Sequence, residues 1–179
     1  MFRHSFSAFV LLLAGLVVSG CASTPGKIQP AESVPPGELS RYTKISITIT
    51  MSGDAASKIP KTDCERIATL VAQKIRELDP NRFRDFAATP NDPQTLHVVI
   101  NLTRYDAGSA FARAMFAGLG QIHIDADVIL EDGAQQKNLG RFKVSKSFAG
   151  GGIYGAATGI DDVQEGFAAA VAKAVLGQS

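Results

Sequence analysis

This sequence of 179 residues contains two cysteines, whose thiols are its most reactive side chains. Cys21 follows two small residues, Ser19 and Gly20, and its thiol could accept a covalent group. Cys64 recurs at helical spacing with apolar residues, which predicts a buried, inert thiol with no local base to activate it. If Cys21 is modified, Cys64 has no partner in the chain, so we expect no disulfide framework.

His123, Asp125 and Asp127 alternate along one predicted strand. Alternate residues of a strand point to the same face, so these side chains could together grip a metal ion. They lie opposite an apolar face, however, and solvated polar side chains are usual there in an antiparallel sheet. We therefore interpret them as part of a solvated sheet face and predict no metal site.

The segment Gly150–Gly155 satisfies the pattern G-x-G-x-x-G. A dinucleotide-binding loop also needs a helix that starts within the motif, a parallel strand after it and an acidic residue about 20 positions further on. The predicted helix starts several residues too late, and the chain ends after it. The glycines therefore predict a flexible strand-to-helix connection, on which Ile153 and Tyr154 could contact a partner.

The sequence carries none of the usual catalytic arrangements: no Ser-His-Asp order, H-E-x-x-H, C-x-x-C or Walker A motif. Asp161 and Asp162 fall in the first turn of a predicted helix, where the helix dipole favours acidic side chains. We therefore predict a non-enzymatic protein without a cofactor. Its 18 Lys and Arg against 17 Asp and Glu leave no basic surplus for phosphates, so we expect no nucleic-acid partner.

The first 20 residues have the features of a secretory signal peptide. Arg3 and His4 precede an apolar run of 11 residues, 8–18, which is too short to span a bilayer. The sequence Val18-Ser19-Gly20-Cys21 resembles the lipobox of bacterial lipoproteins, with an aliphatic residue and two small residues before a cysteine. This resemblance implies cleavage between Gly20 and Cys21 and attachment to a membrane through acyl chains on Cys21.

The segment after Cys21 has the composition of a linker. Ala22, rather than Asp, follows the cysteine, which resembles the outer-membrane sorting pattern of Gram-negative lipoproteins. Four prolines between residues 22 and 40 break helices and strand ladders, so we expect residues 21–40 to be the lipidated cysteine and a flexible tether. Such a tether would let the domain, residues 41–179, work away from the membrane.

The apolar pattern from residue 41 onward predicts an α+β domain with the order β-α-β-β-β-α. We expect a four-stranded, mainly antiparallel sheet with two helices on one face. Thr62 and Glu65 suggest a capping box for the first helix, and Thr158 is a candidate cap for the second. The last two strands are expected to form a hairpin in which Asp127 lies beside Arg141.

Several short patterns resemble those of a family of small bacterial lipoproteins that is catalogued only as a domain of unknown function. They are Arg104-Tyr105, the Gly/Ala-rich loop Gly108–Gly120, the strand Ile122–Leu130, Leu139-Gly140, and Gly150-Gly151-Gly152 before Asp161-Asp162. The resemblance covers most of residues 45–176. It brings no established activity, ligand or catalytic residue, and it implies an envelope location and a non-enzymatic role.

The segment Ala107–Gly120 is apolar yet rich in glycine and alanine. Phe111, Met115 and Phe116 are spaced so that one helical turn could present them together. They either pack as a lid over the sheet edge or form a surface for a partner protein or lipid. Our leading hypothesis is a lipid-anchored, periplasm-facing accessory domain that binds another envelope protein. The alternative is a binding domain for a small apolar ligand or lipid, with this segment as its lid.

Overall fold

The computed structural model describes residues 22–35, 37–116 and 118–178. A 3-10 turn at Glu38–Arg41 lies between the first two strands. The strands and helices are β1 (Lys27–Glu32), β2 (Lys44–Met51), α1 (Ala55–Lys58), α2 (Lys61–Leu78), β3 (Thr95–Asp106), α3 (Ala110–Met115), β4 (Ile122–Asp132), β5 (Lys137–Phe148), α4 (Gly152–Ala157) and α5 (Ile160–Val175).

The strands form one sheet in the order β1-β5-β4-β3-β2. Neighbouring strands are antiparallel except β2 and β3, which are parallel because α2 carries the chain back between them. The α+β class is confirmed. The prediction of four strands is wrong because β1 adds a fifth, and three short helices, α1, α3 and α4, add to the predicted order.

The fifth strand lies within the segment that was expected to be a flexible tether. β1 pairs with β5 in a register that places Lys27 beside Ser145 and Ile28 beside Val144. Ile28 is the one partly buried residue of this edge strand, so no apolar alternation marks it in the sequence. An edge strand also tolerates Pro30, since one side of its backbone pairs with nothing. The tether prediction is therefore wrong for Lys27–Glu32.

One apolar face of the sheet packs against α2 and α5. Every second residue of β4 from Ile122 to Leu130 is buried, while the residues between them lie on the opposite, partly exposed face. Most of α5 is buried, including Phe167 and Val171, because it packs against the sheet and α2. The two long helices therefore cover one face of the sheet, as the sequence predicted.

Both long helices begin differently from the predicted caps. Pro60 precedes α2, and its carbonyl accepts hydrogen bonds from the N–H groups of Asp63 and Cys64, so the capping box proposed for Thr62 is wrong. At α5 the cap is Gly159, whose N–H donates to the Asp162 carboxylate at 2.8 Å. The Thr158 hydroxyl instead donates to the carbonyl of Tyr154.

The β4–β5 hairpin has a register two residues away from the predicted one. Asp127 lies opposite Lys143 rather than Arg141, and their charged groups are 3.8 Å apart. An irregularity between Leu130 and Glu131 accompanies this shift. A slip of two residues keeps every side chain on its own face, so the apolar pattern could not detect it.

Within the described residues, no helix has both the length and the apolarity needed to cross a membrane. The apolar run at 8–18, Gly20 and Cys21 lie outside the described residues.

Candidate interaction surface

Two short helices at one end of the sheet, α3 and α4, pack against each other. They and the adjoining loop carry most of the large apolar side chains that are exposed to solvent. We call this surface the apolar end; its members are Phe111, Met115, Phe116, Leu119, Ile153 and Tyr154. The exposed fraction ranges from 53% for Tyr154 to 91% for Ile153. All five predicted surface residues thus lie on adjacent elements, and the structure adds Leu119.

The direction of Arg113 explains why Phe111 and Met115 point outward. Arg113 is the buried residue of α3, with 2% of its surface exposed. At about 100° per residue, positions two before and two after Arg113 lie on the other side of the helix. Turning Arg113 inward therefore turns Phe111 and Met115 toward solvent, so this segment does not bury them as a lid would.

The guanidinium of Arg113 joins α3 to α4 through backbone carbonyls. Its Nε donates to the carbonyl of Gly155 at 2.8 Å, and Nη2 donates to the carbonyl of Thr158 at 2.9 Å. Its Nη1 donates to Gly120 at 2.6 Å and to Ala107 at 3.3 Å. The rigid fork of five N–H groups in arginine suits such a set of diverging acceptors. One side chain thus fixes both halves of the apolar end.

Close packing explains the glycine-rich segment at 150–155. A Cβ on Gly155 would lie 2.2 Å from the carbonyl oxygen of Gly150 and 3.3 Å from Cβ of Arg113. Helix α4 starts at Gly152, inside the motif and earlier than predicted, but it spans only six residues. The glycines therefore allow α4 to approach its neighbours closely, and they need no bound nucleotide to account for them.

The first described residues pack onto the domain beside the apolar end. Ala22 is buried, and its backbone N–H donates to the phenolic oxygen of Tyr154 at 3.4 Å. Further along, the N–H of Gly26 donates to the carbonyl of Gly166 in α5 at 3.0 Å. A Cβ on Gly166 would lie 2.3 Å from the carbonyl oxygen of Thr24, so glycine is what lets this segment lie against α5.

The comparisons with known proteins identify the family. The family described as "Domain of unknown function (DUF4410)" matches residues 17–152, a range that includes Val18–Cys21. The chain belongs to this family. The resemblance drawn from the sequence is therefore confirmed for the domain of unknown function, and no curated protein sequence matches the chain.

A solved structure of another protein has the same fold as this DUF4410 domain. The PelC dodecamer from Paraburkholderia phytofirmans is 14% identical, with 84% of this chain and 96% of that chain covered and a TM-score of 0.53. Lipoprotein GNA1162 from Neisseria meningitidis is 12% identical over 76% of this chain and 96% of that chain, with a TM-score of 0.42. At 14% identity, the likeness to PelC establishes the fold alone.

Two clefts among the described residues of the DUF4410 domain do not resemble an apolar ligand cavity. A cleft of about 400 Å³ lies beside Arg76 and Phe86, and one of about 310 Å³ lies beside His123 and Lys146. Both open to solvent and are lined by charged and polar groups as well as apolar ones. Buried apolar side chains pack between the sheet and the helices.

The polar residues of β4 take part in a solvated sheet face. His123 is partly buried, and its pKa is lowered chiefly by burial and then by the charge of Arg104. Asp127 lies beside Lys143 on the same face. Among the described residues, no group of three His, Cys, Asp or Glu side chains could hold a metal ion.

Two further reactive groups have structural roles. Cys64 is half-buried rather than fully buried, with its Sγ 3.8 Å from Sδ of Met51. Burial, followed by the charge of Asp63, raises the pKa of this thiol, which keeps it protonated. Tyr105 donates to the Asp63 carboxylate and accepts from Gln164, so it links β3, α2 and α5. Burial and Asp63 raise the pKa of Tyr105, so its hydroxyl remains a donor.

Proposed function

We propose that this protein is a lipid-anchored, non-enzymatic accessory protein of the bacterial cell envelope. Acyl chains on Cys21 hold it, and the Ala22 that follows favours the outer membrane with the domain facing the periplasm. The lipobox pattern Val18–Cys21 supports the anchor. The absence of a catalytic arrangement in the sequence and the structural roles of Tyr105, Cys64 and Asp162 support a function based on contact rather than catalysis.

The lipobox pattern carries the proposed anchor, and the docking of Ala22 next to Tyr154 is the structural observation that gives the anchored domain an orientation. Since Cys21 is bonded to Ala22, the lipid would begin one residue from the apolar end. The anchor would then hold the domain close to the bilayer, with the apolar end facing the bilayer. A domain on a flexible tether would have no preferred orientation.

A fixed orientation leaves other surfaces free for an envelope partner. The outer face of the sheet is polar, and it carries the mixed charges of Asp127, Lys143 and Arg141. Charged pairs such as these can select a partner by complementarity. We therefore place the partner-binding role on surfaces away from the anchor.

The intact mass of the mature protein tests the anchor. We expect the wild-type protein to exceed the mass of the polypeptide from Cys21 to Ser179 by a diacylglyceryl group or a larger acylated group. Cys21→Ser should abolish this increment and the partition into membranes. Cys64→Ser is the matched control, because it removes the other cysteine and should keep both properties. A mature wild-type protein of unmodified mass would refute the proposal.

The partner role is tested by crosslinking in intact cells. Charge reversal at Lys143 and Arg141 should reduce recovery of a crosslinked envelope protein while the lipidated mass stays unchanged. Recovery that is unaffected by these changes would move the partner site to another surface.

A further inference from the structure

The apolar end is unusual because the two segments that build it present large apolar side chains and no exposed charge of their own. At its edge, Asp162 lines a cleft with Ala22 and Tyr154. The two segments, residues 107–121 and 149–159, contain a single charged residue, Arg113. That residue is buried and bound to backbone carbonyls. Interfaces between proteins usually have a polar rim, and arginine is enriched in them. In the two segments of this surface, the exposed or partly exposed polar side chains besides Tyr154 are those of Ser109 and Gln121, since Thr158 is buried.

The position of the chain's anchor decides what such a surface would meet. If Cys21 is lipidated, as proposed above, its acyl chains enter the bilayer one residue from Ala22. Ala22 is held against Tyr154, and Tyr154 belongs to the apolar end. The nearest apolar medium to the exposed side chains is therefore the bilayer that takes up those acyl chains.

We propose that the apolar end is a membrane-contact surface. Phe111, Met115, Phe116, Leu119 and Ile153 enter the interfacial region of the bilayer that holds the Cys21 lipid. Amphipathic surface elements bury their apolar faces roughly 5–10 Å into this region. Tyr154 lies at the rim, with its hydroxyl on the Ala22 N–H, as suits a side chain with an apolar ring and a polar tip.

The lack of exposed charge within these two segments specifies the kind of lipid surface. A basic surface would depend on anionic lipids and would be released by salt. The contact made by the apolar end rests on apolar burial, so zwitterionic phosphatidylcholine should support it and high salt should not release it. The Arg113 hydrogen bonds hold α3 and α4 in place beforehand, so contact requires no refolding.

The opposite end of the domain provides an internal reference. Helix α2 has 18 residues and is about 27 Å long. Its first turn contacts Tyr105, two residues before Ala107, and its last residue is Leu78. Leu78 thus lies at the end of the domain away from the proposed membrane contact. Its side chain is apolar and 41% exposed.

A single tryptophan can test this orientation because the chain contains none. The lipidated, full mature protein carrying Phe111→Trp is reconstituted into phosphatidylcholine vesicles that contain brominated lipid. We expect a blue-shifted emission and loss of most of the intensity relative to vesicles without bromine. Leu78→Trp is the matched control and should keep its emission maximum and its intensity.

The same samples separate this inference from the anchor itself. Mass spectrometry reports whether Cys21 carries lipid; its absence would refute the proposed function. Lipidated Phe111→Trp protein whose emission is neither shifted nor quenched would overturn the membrane contact alone. A blue shift that grows with protein concentration and shows no bromine quenching would indicate a second copy on this surface, and it would also overturn the proposal.

A second variant guards against a local effect of the probe. Ile153→Ser in the Phe111→Trp background removes the most exposed apolar side chain of the surface without touching the core. It should reduce quenching at Trp while leaving the unfolding transition in place. Unchanged quenching would contradict a joint surface of α3 and α4.

Discussion

The backbone N–H of Ala22 donates to the phenolic oxygen of Tyr154, at 3.4 Å and across 132 positions of sequence. The Tyr154 ring also lies edge-on to Phe148, with ring centroids 5.5 Å apart. The start of the described chain is thereby joined to helix α4. The expected position of the lipid and the largest exposed apolar surface are features of the same end of the molecule.

Arg113→Lys should loosen the apolar end. Lysine keeps the charge but lacks the fork that reaches Gly155, Gly120 and Thr158, and each buried acceptor left unpaired costs about 1–3 kcal/mol. We expect a lower free energy of unfolding and faster amide exchange in α3 and α4. Arg104→Lys, at an exposed arginine of β3, is the control. Equal exchange in both variants would show that Arg113 does not hold the two helices together.

Gly166→Ala should displace the segment 22–26 without unfolding the domain. The new methyl group would lie 2.3 Å from the Thr24 carbonyl oxygen, so this segment must move away from α5. Limited digestion with trypsin should then cleave faster after Lys27, as read by mass spectrometry. At Gly159 an added Cβ has no heavy-atom neighbour nearer than 3.9 Å, so Gly159→Ala is the control. Similar cleavage of both variants would contradict the docking.

Truncation should separate the surface from the core. Phe167→Ala removes a fully buried ring and should lower the free energy of unfolding by about 3–5 kcal/mol. Phe111→Ala removes a ring that is 72% exposed and should change this free energy by less than about 0.5 kcal/mol. Urea unfolding of the two variants measures the difference. A loss at Phe111 as large as that at Phe167 would show that α3 packs into the core.

Acid should weaken the contact between the Glu38–Arg41 turn and the end of β4. A hydrogen bond from the Gln135 N–H, then one from the Tyr42 hydroxyl and the charge of Arg41, lower the pKa of Asp132 in the folded protein. Its stabilising contribution is therefore present above the unfolded value of about 3.9 and is lost as pH falls through the lower folded value. Asp132→Asn should lower stability at neutral pH and reduce the loss in acid.

Urea midpoints between neutral and acidic pH measure this dependence. Asp54→Asn is the control, since its exposed carboxylate makes only a long contact of 3.6 Å with Lys58. A wild-type acid dependence that survives unchanged in Asp132→Asn would assign it to other carboxylates.

The central strands were predictable because buried and exposed residues alternate along them. The edge strand β1 has no such alternation, and the sequence did not reveal it. β4 has one buried face along its length, so its period of two is visible in the sequence. β1 buries little, and its pairing depends on β5, which is more than 100 residues away. The β4–β5 register was wrong by an even number of residues because the apolar pattern has the same period.

The residues of the candidate surface on α3 and those on α4 were each predictable, but their arrangement in one surface was not. The spacing of Phe111 and Met115 indicated one helical turn, which α3 provides. Nothing in the sequence linked that turn to Ile153 and Tyr154, because the link runs through Arg113 and backbone carbonyls. The available signal was one arginine inside an apolar segment, since such a charge must find buried partners or point to water.

The height of the domain above the bilayer tests the central claim most directly. Neutron reflectometry on the lipidated protein in a supported phosphatidylcholine bilayer measures the solvent layer between the headgroups and the protein. The docked segment from Ala22 to Gly26 predicts no such layer, with protein density starting within the headgroup region. A solvent gap of about 25 Å, the average reach of a flexible tether of roughly 20 residues, would contradict the account.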